Sequence, residues 1–256
     1  MHPAAIHQLF LVVNGQGWLP VAQDAIMIIS RTFQEQRSDE MIKAVIFDLD
    51  GTLLDRDSSL KKFVMNQYDR LKVLHTVDKD AYTTRFIELD RRGYVWKDKV
   101  YLSLVEEYKL EGITVDELLT DYITNFKHHC TPFPKLRELL EYITSKGIKL
   151  AMITNGYGEF QLGNVEALGI MQYFDFIMVS ELEGLRKPDE EIFKRALERL
   201  GIGTSDAMYV GDHPINDVMA SRRVGMKGIW KADSFYDDKF DRDGEIRDLL
   251  DLKNYM

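Results

Sequence analysis

MIKAVIFDLDGTLLD, residues 41–55, carries the pattern that decides the fold. Ala44–Phe47 is a continuous apolar run, followed at once by Asp48, Asp50 and Gly51. Unbroken apolar runs mark strands covered on both faces, as in a parallel sheet, whereas half-exposed strands alternate. Similar runs recur downstream at Leu150–Ile153, Phe176–Val179, Met208–Val210 and Gly228–Trp230. Amphipathic helical segments lie around them at Pro134–Lys146, Glu159–Leu168, Pro188–Leu200 and Asn216–Val224. This alternation predicts an α/β fold: a doubly wound parallel, Rossmann-like sheet with right-handed crossovers.

The spacing is uneven. The first strand ends near residue 48 and the second begins near 148, although a crossover needs only about a dozen residues. Helix 134–146 supplies the crossover, so residues 56–131 are surplus. They read as four helices. Tyr101, Leu104, Val105 and Tyr108 follow helical spacing, as do Leu118, Leu119, Tyr122, Ile123 and Phe126. Thr114 with Glu117 fits a capping box. The expected organisation is an α/β core from 41–55 and 132–256 with a helical bundle, 56–131, inserted after its first strand. The acidic tail from Asp233 is expected to end in an amphipathic helix with Ile246, Leu249, Leu250 and Leu252 on its apolar face.

Residues 1–40 read differently, with a Gly-Gln-Gly break at 15–17 and a polar run at 34–40. One reading is an extension upstream of Met41. The other is a packed appendage with a strand at 9–13 and a helix near 21–33.

Composition excludes several classes. The 256 residues are 45% hydrophobic and 29% charged, which fits a globular chain rather than a disordered one. A net charge of −9 argues against nucleic-acid binding, which needs clustered Lys and Arg. It leaves room for a small phosphorylated ligand held by a local Lys and a metal ion. One cysteine, Cys130, cannot form an internal disulfide, so a reducing, cytoplasmic location is expected. No apolar run reaches the roughly 20 residues of a membrane-spanning helix.

Four short motifs carry chemistry, and each follows an expected strand. Ligands of open α/β sheets bind beyond the carboxyl ends of the strands, so the four should converge. Asp48 and Asp50 point to one side if the chain stays extended, and two close carboxylates repel unless a cation or a shared proton intervenes. That arrangement suits Mg2+, which prefers carboxylate oxygen; it also fits a simple turn closed by Gly51. Thr154-Asn155-Gly156 offers a hydroxyl and backbone N–H groups to phosphoryl oxygens, or else forms an ordinary loop. Lys187 precedes the Pro of a new helix, where it can act as a point charge on phosphate or lie solvated. Asp212 can complete a metal site and Asp217 lies a helical turn later, although Asp and Asn also cap helices.

Taken together, DLDGTLLD, ITNG, the RKPD lysine and GDHPIND occur in the order found in the haloacid dehalogenase superfamily. The chain resembles its phosphatase-like members with a helical cap, over about residues 41–230. The resemblance implies that Asp48 is the nucleophile and forms an aspartyl-phosphate, and that Asp50 is the general acid and base. It implies Mg2+ held by the Asp48 side chain, the Asp50 carbonyl and Asp212, with Asp217 holding metal waters or Lys187. Thr154, Asn155 and Lys187 would bind the transferring phosphoryl group. The implied activity is hydrolysis of a small phosphorylated metabolite by a monomer or homodimer. Dehalogenases of this fold need neither metal nor an acid at position 50, because a halide leaves without a proton; Asp50 therefore favours a phosphatase. A phosphomutase and a non-enzymatic phosphate-binding module are the other readings.

Three further features are singled out. The loop Asp90–Trp96 carries Arg, Tyr and Trp that could face a leaving group or pack as a solvated turn. His213 could touch substrate or cap the helix after it. The His128-His129-Cys130 run lacks further ligands at zinc spacing, and Cys130 reads as a small buried hydrophobe.

Overall fold

The computed structural model describes residues 10–12, 18–20 and 42–256. The chain divides into two compact units, residues 1–41 and 42–256. In the first, β1 (Phe10–Val12) and β2 (Trp18–Pro20) form an antiparallel pair with Leu11 opposite Leu19. The strand expected at 9–13 is thus present as β1. The helix near 21–33 lies outside the described residues, as does the junction at Met41.

The second unit is built on six parallel strands. They are β3 (Ala44–Phe47), β4 (Lys149–Thr154), β5 (Phe176–Val179), β6 (Ala207–Gly211), β7 (Lys227–Lys231) and β8 (Gly244–Ile246), in the order β5-β4-β3-β6-β7-β8. The five expected strands are all present, and β8 adds one at the edge beside β7. Successive side chains of a strand face opposite sides, and the two cores follow that rule. Val45 and Phe47 join one apolar cluster with Leu150 and Met152; Ala44 and Ile46 join another with Ala151 and Ile153. Strand order reverses at β3, between β4 and β6, which opens the ligand crevice beyond its carboxyl end.

The surplus residues form four helices: α1 (Arg56–Arg70), α2 (Lys79–Asp90), α3 (Lys97–Tyr108) and α4 (Val115–Asn125). Asp55 caps α1 by accepting from Ser58 N–H at 3.0 Å. Thr114 and Glu117 close the expected capping box on α4. Phe63, Tyr82, Tyr101 and Tyr122 are buried in the same cluster as Phe47, so the insertion and one sheet face share a core. Ile123, expected on the apolar face of α4, is 46% exposed.

The helices around the sheet are α5 (Leu136–Ser145), α6 (Gly158–Ala167) and α7 (Glu190–Leu200). Two begin later than their sequence suggests. Lys135 is left-handed (φ 65°), which delays α5 to Leu136. Asp189 serves as the N-cap of α7, accepting from Glu191 N–H, so α7 starts at Glu190. The segment expected as one helix over Asn216–Val224 is π-wound through Pro214–Met219 and becomes α-helical only at Ala220–Arg223.

The tail corrects one expectation. Ile246 lies in β8, and Leu249–Tyr255 winds as a 3-10 helix rather than an amphipathic α-helix. Leu249 and Leu252 are buried, while Leu250 is only partly so. A 3-10 helix repeats every three residues, so Leu249 and Leu252 eclipse on one face and Leu250 turns off it.

Candidate active site

The ends of β3, β4 and β6 bring the sequence motifs together. Asp48 follows β3 directly, and its N–H donates to Val210 O at 2.9 Å, continuing the ladder to β6. The chain then turns sharply: Leu53 and Leu54 N–H both donate to Leu49 O at 2.9 Å. Gly51 makes this turn possible. Its φ is +83°, and a Cβ there would lie 2.5 Å from Asp212 Oδ2.

Lys187 is buried at the centre. Its Nζ donates to Asp48 Oδ1 (2.6 Å), Asp217 Oδ1 (2.6 Å) and Tyr209 OH (2.7 Å). An ammonium has three N–H donors, and these three acceptors match them. Tyr209 in turn donates to Ile153 O at 3.0 Å. Burial works against the Lys187 charge, but Asp217 and Asp48 outweigh it and raise the ammonium above its usual range. Asp217 also accepts from His213 N–H at 3.0 Å through Oδ2. Gly211 leaves room for the Asp217 carboxylate, since any Cβ there would collide with it.

The carboxylates carry more negative charge than Lys187 offsets. Asp48, Asp212 and Asp217 each present an oxygen within 4.8 Å of the others, and all three are buried. Burial pushes Asp48 up to about 7, with Lys187 opposing and Asp217 adding to the rise. Asp212 is raised by burial and by Asp48 and Asp217. A group of buried oxygen donors with surplus negative charge is what a hard divalent cation such as Mg2+ satisfies. The residues present therefore fit the metal that the sequence suggests.

Asp50 faces a different partner. Its Oδ2 accepts from Gln161 Nε2 at 2.7 Å. The same Nε2 lies 2.9 Å from Thr154 Oγ1 and 3.1 Å from Asn155 O. Asn164 Nδ2 donates to Gln161 Oε1 at 3.2 Å, which fixes the orientation of the amide. Thr154 Oγ1 thus accepts from Gln161, and its own O–H remains as a donor for the cavity that Thr154 lines. Asn155 also lines the cavity, but its side chain bonds to the Lys187 main chain at both amide atoms.

All seven sequence-predicted site residues line one cavity of about 520 Å3. Gln161 and Tyr209 were not expected. Tyr209 has a weak signal, a polar hydroxyl inside an apolar strand; Gln161 has none near the motifs.

The insertion supplies the other wall. Arg92, Tyr94 and Trp96 of the expected loop all line the cavity. Arg92 pairs with Asp233 and lies 4.8 Å from the Phe235 ring. His213 takes the capping role considered for it. Its Nδ1 accepts from Ile215 and Asn216 N–H at 3.1 and 3.2 Å, and its Nε2 meets Tyr94 OH at 2.7 Å. Cys130 is partly buried, and its thiol donates to Asn164 Oδ1 at 3.5 Å.

A model of the haloacid dehalogenase-like hydrolase family matches residues 45–231. The chain belongs to that family. It is 27% identical over 221 residues to a glyceraldehyde 3-phosphate phosphatase of Pyrococcus abyssi, covering 74% of this chain and 81% of that protein. It is 29% identical over 196 residues to a phosphoglycolate phosphatase of Aquifex aeolicus, covering 73% and 83%. The crystal structure of a phosphatase of the same superfamily from Thermococcus onnurineus superposes with a TM-score of 0.60 at 27% identity, covering 83% of this chain and 97% of that one. In this hydrolase the motif residues meet at the strand-order reversal beside β3.

Proposed function

We propose that the protein is a Mg2+-dependent phosphomonoester hydrolase acting on a small phosphorylated metabolite through an aspartyl-phosphate at Asp48. The observation that carries this reading is the second acid. Asp50 stands beside Asp48 and is held by the Gln161 amide at 2.7 Å. An alkoxide leaving group needs a proton and a halide does not, so this acid favours phosphate-ester hydrolysis over dehalogenation. The relatives named as phosphatases support the same reading.

In the first half-reaction an Asp48 oxygen attacks phosphorus in line, the bond to the ester oxygen breaks, and Asp50 passes its proton to that oxygen. In the second, Asp50 takes a proton from water, the water oxygen attacks phosphorus, and the Asp48–phosphorus bond breaks to release phosphate. Phosphoryl transfer depends mainly on positioning and charge. Thr154 donates its hydroxyl to a phosphoryl oxygen, and Lys187 sets positive charge against Asp48. Asp48, the Asp50 carbonyl and Asp212 would hold Mg2+, with Asp217 holding its waters or Lys187, and the ion would supply charge that offsets the repulsion between carboxylate and phosphate.

In this reading, residues 56–131 form a cap over a core of 41–55 and 132–256. The Tyr94–His213 and Arg92–Asp233 contacts fasten the cap loop to the core and exclude bulk water. The lone cysteine supports a cytoplasmic location. Among the described residues no helix is long and apolar enough to cross a membrane. The test is phosphate release from a panel of small phosphomonoesters with Mg2+ and with EDTA. Metal-dependent release supports the reading, and metal-independent chloride release from a 2-chloroacid overturns it.

A further inference from the structure

We propose that the insertion wall of the cavity is a second anion site, so that the substrate is a small phosphomonoester whose leaving group bears another negative charge, a carboxylate or a second phosphate. This rests on the phosphatase reading and adds a substrate class to it.

Two cations on this wall share one carboxylate. Arg56 opens α1 and Lys97 opens α3, and both line the cavity. Arg56 Nη2 donates to both Asp90 oxygens, at 3.0 and 2.8 Å, and Lys97 Nζ pairs with Asp90 Oδ1. Asp90 and Lys97 are each 1% exposed. The group therefore holds one positive charge in excess.

Among the described residues, no carboxylate other than Asp90 hydrogen-bonds to either cation. Arg56 Nη1 is buried and has no hydrogen-bond partner among the described residues. Asp57 approaches it only to 3.8 Å, and the Asp57 side chain is 60% exposed, where water screens it. A buried donor left without an acceptor is costly, most of all on a charged group. Burial pulls the Lys97 ammonium below its usual range, and Asp90 only partly restores it against repulsion from Arg56. The third cation on the wall, Arg92, differs because Asp233 matches it.

The position suits a leaving group. The charge of Asp50, the proposed proton donor, acts on both Arg56 and Lys97. Trp96, Tyr122, Phe126 and Phe160 form the apolar surround, with Lys97 Nζ 5.2 Å from the Tyr122 ring. Low polarity there strengthens an ionic contact. A site with an uncompensated buried charge discriminates against the neutral analogue of its ligand.

The test uses the full-length protein with Mg2+ and two matched ester pairs: 2-phosphoglycolate against 2-hydroxyethyl phosphate, and 3-phosphoglycerate against glycerol 3-phosphate. The expected result is a kcat/KM roughly 10- to 100-fold higher for the anionic member of each pair, the worth of one charge-assisted hydrogen bond. In Lys97→Met and Arg56→Met the ratio within each pair should fall toward one. Glycerol 1,3-bisphosphate separates the two sources: turnover above 3-phosphoglycerate assigns a second phosphate, and turnover below it a carboxylate. Ratios near one in the wild-type protein, or ratios that persist in both folded variants, overturn the second anion site and leave the phosphatase intact. No phosphate from any ester, 4-nitrophenyl phosphate included, removes the phosphatase reading and this inference with it.

Discussion

Asn155 holds Lys187 by both faces of its main chain: Asn155 Oδ1 accepts from Lys187 N–H, and Asn155 Nδ2 donates to Lys187 O, each at 2.9 Å. These residues lie at the ends of two different segments, β4 and the loop before α7. The pairing sets where the Lys187 side chain enters the site. Asn155 is thus a positioning residue by its side chain, whatever its backbone offers to phosphate. We expect Asn155→Ala to lower kcat/KM about 10- to 100-fold, since two hydrogen bonds of about 1 kcal/mol each are lost and Lys187 is released. Steady-state kinetics on a folded variant, verified by circular dichroism, check this. Wild-type kinetics would show that Lys187 is held by other means.

Lys187 itself has structural weight. Its removal leaves Asp48 and Asp217 buried without their shared cation. Breaking a buried ion pair on one side costs about 3–5 kcal/mol. Lys187→Ala should therefore lose both activity, by several orders of magnitude, and stability in metal-free buffer. Denaturant unfolding with EDTA measures the second effect, and adding Mg2+ should recover part of it. A variant as stable as wild type in EDTA would contradict the geometry.

Gln161 makes a separate prediction. Its Nε2 is the hydrogen-bond donor on Asp50 Oδ2 and also contacts Thr154. Gln161→Leu keeps the volume and removes the donor. The expected outcome is a fall in kcat of roughly 10-fold or more, the cost of losing a hydrogen bond to a charged group. Gln161→Glu should be worse, because it faces Asp50 with a like charge. Equal kcat values for all three proteins would mean that Asp50 needs no such support.

Acid stability follows from Asp90. Burial alone would raise its pKa, but Arg56 and Lys97 outweigh burial and hold the carboxyl below its usual range. A carboxylate with a lowered folded-state pKa adds stability above its unfolded value, near 3.9, and that stability is lost as pH falls through the folded value. The Asp90 contribution to the unfolding free energy should thus decline with falling pH over about pH 5 to 2. Asp90→Asn should be less stable at neutral pH and show a shallower decline. Urea titrations across that range test the sign; an unchanged slope in Asp90→Asn would place the acid sensitivity elsewhere.

Local sequence carried most of the fold. The five apolar runs are strands because buried parallel strands advertise themselves residue by residue. β8 escaped notice: Gly244–Ile246 is three residues long, with a Gly and a Glu, too short for any period to register. The same limit hid the π-wound start of the segment after β6, since apolar spacing does not separate a π turn from an α turn over six residues. The motif acids were legible because Asp48 and Asp212 directly follow strands and Asp50 and Asp217 come within a few residues of them. Gln161 was not, because its bond to Asp50 joins residues 111 apart in the chain and its own helix offers no pattern that marks it. The Arg56–Asp90–Lys97 group was hidden for a similar reason, being assembled from three helix ends that only the packing of the insertion brings together.

The most direct test is phosphate release from 4-nitrophenyl phosphate by wild type and by Asp48→Asn, each with Mg2+ and with EDTA. The account predicts release by wild type only with Mg2+, and none above background from the variant under either condition. Release by a clean Asp48→Asn preparation at the wild-type rate would contradict Asp48 as the nucleophile, and equal wild-type rates with Mg2+ and EDTA would contradict the metal.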